Sequence, residues 1–158
     1  MNTITLESIK ERQAEIAAMI TQFQEDAKKP PFFEYQGERI NLKQGEIYVG
    51  TIITPGEYGN YHLILLPGDI EAKNWKSAME WAEEQGGELP NRVESALLFA
   101  TLKAEFSEEW YWTRETFVSS PASAWYQSFT FGCQSLARKD LNICHARGVR
   151  RIKIGETK

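Results

Sequence analysis

Residues 124–131, Ala-Trp-Tyr-Gln-Ser-Phe-Thr-Phe, constrain the fold more than any other segment. Alternation puts Trp125, Gln127, Phe129 and Phe131 on one face of a strand and Tyr126, Ser128 and Thr130 on the other. So heavy an aromatic face needs a packed sheet with helices or a second sheet against it. The neighbouring pattern supplies both. Further strands are predicted over 109–113 and 143–154, and a polar connection over 114–121 resembles the loops that often carry binding.

Two helices precede that region. Over 74–85, Trp75, Ala78, Met79 and Ala82 share one stripe, and Gly86-Gly87 provides the exit. The next helix opens on Asn91, with Glu94 three residues on to complete a capping box. Ala96, Leu97, Ala100 and Leu102 are its expected apolar face. Earlier still, 32–35 and 39–42 flank Gln36-Gly37 as a hairpin. Strands are predicted over 46–53, stopped by Thr54-Pro55-Gly56, and over 61–66, an apolar run suited to burial.

The N-terminus is a helix of another kind. Leu6, Ile9, Gln13, Ile16, Ile20, Phe23 and Ala27 recur at steps of three and four, a heptad repeat with one polar member and charged flanks. Two readings stay open: self-association through Leu6, Ile9, Ile16, Ile20 and Phe23 as a dimer to tetramer, or packing on the chain's own domain. Lys28-Lys29-Pro30-Pro31 ends the helix, because proline lacks an amide donor and restricts the residue before it. The expected organisation is an oligomerisation helix over 1–29 and a binding domain over 30–158.

Four pieces of the second half fall in a recognisable order: Leu89-Pro90-Asn91-Arg92-Val93-Glu94, then Trp110-Tyr111-Trp112-Thr113-Arg114-Glu115, then Ala124-Trp125-Tyr126-Gln127-Ser128-Phe129 with Gly132, then Ala146-Arg147-Gly148-Val149-Arg150-Arg151-Ile152. This order resembles the DUF1566 (Lcl C-terminal) family of bacterial and phage proteins. Arg114 departs from it, standing where a small residue is usual. The resemblance implies an α+β, C-type-lectin-like domain: two helices plus small antiparallel sheets, here preceded by the amphipathic helix. It implies a binding fold and leaves the ligand open.

Charge is unevenly spread beneath a formal net of −4. From residue 138 onward Arg138, Lys139, Arg147, Arg150, Arg151, Lys153 and Lys158 face only Asp140 and Glu156. Such a basic edge could meet an anionic partner, with Arg138 and Lys139 the most available; pairing with the acidic remainder is the favoured alternative. Nucleic acid is an unlikely partner on this balance. Glu7, Glu11 and Glu15 stand where a secretory leader would be basic and then apolar, and no apolar stretch is long enough to cross a bilayer. The expected location is a cytoplasm or a particle assembled there.

Catalytic signatures are missing. The sequence has no Gly-x-Ser-x-Gly elbow, no phosphate-binding glycine loop and no dinucleotide fingerprint. His62 lies in an apolar strand and reads as a hydrogen-bonded structural histidine; neither it nor His145 has zinc spacing. Cys133 and Cys144 would oppose each other if a hairpin turned at Arg138-Lys139, within the ~5.5 Å that a disulfide spans, although free thiols suit a reducing cytoplasm. No cofactor and no metal are expected, calcium included. The aromatics remain. Trp112 and Trp125 are assigned to the core, while Tyr111, Arg114, Glu115 and Tyr126 are the expected contact surface. The functional expectation is a non-enzymatic recognition protein of phage or prophage type that binds a protein or glycan on a host, for instance beside a tail fibre. The alternative is a small soluble phage protein that inhibits a host enzyme or defence complex by direct binding.

Overall fold

The computed structural model describes residues 5–28, 32–35, 37–53 and 59–154. Pro30-Pro31, Gln36 and Thr54-Pro55-Gly56, named above as a linker, part of a turn and a strand stop, lie outside them. The architecture is α+β: α1 (Leu6–Lys28), β1 (Phe32–Tyr35), β2 (Glu38–Asn41), β3 (Ile47–Ile52), β4 (Tyr61–Leu65), β5 (Ile70–Ala72), α2 (Trp75–Glu84), α3 (Arg92–Leu102), β6 (Trp110–Phe117), β7 (Ser120–Ser128), β8 (Gln134–Arg138), β9 (Cys144–Ala146) and β10 (Val149–Lys153). No helix among the described residues is long and apolar enough to cross a membrane.

The strands form the hairpin β1-β2, a three-stranded sheet of order β10-β4-β3, and a five-stranded sheet of order β5-β9-β6-β7-β8. Among the described residues only the contact of β6 with β9 is parallel. β4 is buried at every residue because both its faces are covered. Tyr61, Leu63 and Leu65 join Leu98, Tyr111 and Phe129 in the main core, whereas Ile64 packs under Ile40 and Leu42 beside the hairpin. A second core lies between α2 and the five-stranded sheet, where Ala78 and Ala82 let the helix approach Trp112, Ala124 and Cys144.

Both middle helices start where the sequence places them. Asn74 caps α2 through Ser77, and Asn91 caps α3 through Glu94, each as a reciprocal capping box. Of the expected apolar face of α3, Leu97 and Leu102 pack against the main core, but the alanines do not. Ser95, Leu98 and the carboxylate of Glu94 point inward, while Ala96 and Ala100 are exposed.

The expected strand over 143–154 is two strands in different sheets. At Arg147-Gly148 the chain crosses from the five-stranded to the three-stranded sheet, and Gly148 sits against Leu66. The expected loop over 114–121 is mostly strand. β6 runs through Phe117, β7 starts at Ser120, and only Val118-Ser119 connect them. Phe131, placed on the core face of a longer strand, is 81% exposed, because β7 ends at Ser128 and the chain turns.

No residue of α1 is buried. Of its two readings, packing on the chain's own domain is therefore not seen.

One buried ion pair should govern the acid limb of stability. Glu46 accepts two hydrogen bonds from Arg150 at 2.7 Å each, and a third from the Lys43 amide at 2.6 Å. Burial by itself would raise its pKa; Arg150 and the amide outweigh that and hold it below the ordinary carboxylate range. A depressed carboxylate contributes stability above its unfolded pKa and loses it as pH falls through the folded value. Arg150→Ala should therefore flatten the loss of stability below about pH 4.5, as read by melting temperature against pH. An unchanged acid limb would discount the pair.

Candidate functional site

The residues expected to form one contact surface are spread over four settings. Tyr111 is 2% exposed and not on the surface at all. Its hydroxyl bonds Asp69 and accepts from the Ser107 amide, and its ring packs edge-on against Phe106 and Phe129. Burial and the Asp69 contact push its pKa up to about 12, so it stays a neutral donor. Tyr111 and Trp112 fall in different cores because the five-stranded sheet is covered on both faces.

Tyr126 is half-buried and stacks on the partly exposed Trp110 at 5.1 Å between centroids. Arg138 reaches only Asp140, at 2.6 Å, and Lys139 lies over the Trp75 ring at 4.4 Å. Three arginines of the basic edge turn inward, while Lys153 is exposed and Lys158 lies outside the described residues. Arg150 meets Glu46, Arg151 meets Glu88 and Glu94, and Arg147 donates to the carbonyls of Glu105 and Leu66.

Arg114 belongs to that inward network. It pairs with Glu88 at 2.6 Å. Glu88 also takes Arg151, which forks onto Glu94, and Glu94 accepts from the Tyr61 hydroxyl. Arg114→Ala should thus cost about 1 kcal/mol of stability, the scale of a partly exposed pair, and leave partner affinity unchanged. Paired melting and binding measurements on that variant test the assignment, and a loss of affinity without a loss of stability would reverse it.

Glu115 lies elsewhere, on the wall of a cleft of about 540 Å³ lined by Asn91, Arg92, Val93, Ala96, Glu115, Gln127, Gly132 and Gln134. Its carboxylate accepts from the Arg92 amide at 2.5 Å and so ties β6 to the start of α3. Arg92 Nε donates to Gln134 at 2.9 Å, and its guanidinium lies over the Trp125 ring at 3.7 Å. Trp125 is accordingly half-buried, not a core residue. Gly132 closes one end at φ +79°, and a Cβ there would stand 2.6 Å from the Phe99 ring. No other residue fits.

Arg92, Gln127 and Gln134 were not among the expected site residues. One signal was visible: Gln127 is a lone polar side chain on an aromatic strand face, and a buried amide requires partners.

Other chemistry-bearing groups stand apart from the cleft. His62 is buried and its Nδ1 meets the hydroxyls of Tyr48 and Thr51, in the structural role its strand indicates. His145 Nδ1 lies 2.8 Å from Asp69. Cys133 is exposed and Cys144 buried; both are free, because β9 pairs with β5 and β6 rather than with β8. Burial pushes the Cys144 thiol up to about 12 and leaves it inert. Among the described residues no three His, Cys, Asp or Glu side chains converge as a metal site. No protein-family model matches the chain, and neither does any curated protein.

Proposed function

We propose that this chain is a non-enzymatic recognition protein, in which a C-type-lectin-like domain is presented by a self-associating N-terminal helix. The observation that carries the reading is the bare apolar stripe of α1. Leu6, Ile9, Ile16, Ile20 and Phe23 are 44–76% exposed, so their own chain leaves them in water. A helix with such a stripe at heptad spacing buries it against copies of itself. The domain behind it supports the lectin-like assignment through its order of elements: an early hairpin, two capped helices, then a late sheet. Its open cleft offers a place for a partner. A phage or prophage setting, with the protein beside a tail fibre and contacting a host receptor, fits a multivalent binder of this kind.

The full chain should scatter light as a dimer to tetramer at micromolar concentration. Ile16→Lys combined with Ile20→Lys should reduce it to a monomer without lowering the melting temperature of the domain. A monomeric unmodified chain would remove the oligomeric reading. Capture of a partner from intact host-surface material supports receptor recognition, whereas capture only from host cytoplasm would favour inhibition of an intracellular enzyme or defence complex.

A further inference from the structure

The cleft beside α3 contains an arginine that is fixed in place yet not used up. Gln127, 1% exposed, spends its amide nitrogen on the carbonyls of Ser128 and Cys133 and offers its oxygen to Gln134. Gln134 in turn donates to the Arg92 carbonyl at 2.7 Å and accepts from Arg92 Nε. With Trp125 beneath the guanidinium, these contacts fix its plane. Its two terminal nitrogens meet no acceptor among the described residues. Arg114, Arg138, Arg150 and Arg151 all meet carboxylates. A planar, pre-organised fork with two free nitrogens matches a carboxylate.

Glu115, beside the arginine in the same cleft, narrows the choice. Glu115 uses one oxygen on the Arg92 amide, and the other has no partner among the described residues. It repels a bare anion and accepts an N–H. A fitting ligand therefore carries a carboxylate and a donor a few ångströms apart, as an acidic residue does with its own or a neighbouring backbone amide. Val93, at 68% exposed, and Ala96 give an apolar wall. The volume of about 540 Å³ suits a short peptide segment.

We propose that this cleft receives an acidic side chain on an extended segment of a partner protein, the carboxylate on Arg92 and a main-chain amide on Glu115. The proposal rests on the recognition reading above and names the chemistry of its partner.

The test is a side-chain NMR titration of the full-length protein, following the Arg92 Nε–H and the Gln134 amide. The probe is a blocked Leu-Asp-Leu tripeptide, compared with its Asn analogue, sodium acetate, inorganic phosphate and methyl glucoside. The Asp peptide should shift both signals, and the Asn analogue should bind about tenfold more weakly, the scale of a lost charge-assisted bond. Arg92→Lys should weaken the Asp peptide to the same degree, and Glu115→Gln should raise the affinity for acetate. If Arg92→Lys also lowers the melting temperature, the Asp and Asn peptides on the unmodified protein decide alone. Equal binding of those two peptides overturns the proposal, as does stronger binding of phosphate or glucoside. A flat titration alongside intact partner capture also overturns it, while leaving the recognition reading in place.

Discussion

Glu94→Ala is expected to lower the free energy of unfolding by about 3–5 kcal/mol, the usual result of removing one partner from a buried ion pair. Glu94 is fully buried and accepts from four donors: Arg151 Nε and Nη2 at 2.6 Å each, the Tyr61 hydroxyl at 2.7 Å and the Asn91 amide at 2.7 Å. Truncation strands Arg151, whose side chain is almost as buried, and also removes half of the capping box of α3. Glu88 still holds Arg151 Nη1, so the result should fall toward the lower end of the range. Urea unfolding measures it. Adding Arg151→Met should recover part of the loss, because the stranded charge is then gone. A single-variant loss near 1 kcal/mol would show that water reaches the pair.

Phe129→Ala should cost a similar ~3–5 kcal/mol, the range for truncating a buried large aromatic. Phe106 stacks on its ring at 3.9 Å between centroids, with Tyr111 at 5.0 Å and Phe99 at 5.8 Å around it. Trp125→Ala should cost clearly less, although both residues sit on the same predicted strand face. Trp125 is half-buried beneath Arg92, so its removal exposes a surface groove instead of opening a cavity. Equal losses for the two would mean that the guanidinium seals Trp125 as tightly as the core seals Phe129.

Where local signals act alone, the sequence already shows the structure. Asn74 and Asn91 start their helices because a cap is settled within four residues. The run at 61–66 reads as a buried strand, and β4 is one. Failures come where distant packing decides. Tyr111 looked exposed because alternation was read as one wet face, yet the sheet is covered on both sides. The alanines of α3 looked inward but are exposed, and nothing local reveals that buried Glu94 finds its partner Arg151 57 residues away in the chain. The pair Arg114 and Glu115 shows the same limit at the site. Adjacent in β6, they serve different partners, one in the ion-pair network and one on the cleft wall. Arg92 drew no notice because an arginine in the first turn of a helix is ordinary until its platform, Trp125, is known.

The pairing of β10 with β4 has a consequence for how the protein is made. The middle strand of the three-stranded sheet is synthesised at 61–65 but receives its β10 neighbour only at 149–153. At roughly 5–20 residues per second, ribosomes take several seconds to supply that neighbour. During the wait Leu63 and Leu65 lack much of their final cover, and the nascent chain is vulnerable to aggregation or to chaperone capture. α1 has no such dependence, since it is made before the domain and none of its residues is buried. If α1 self-associates as proposed, neighbouring nascent chains on one messenger join through it before their domains fold, and assembly is seeded during translation instead of by collision of finished subunits.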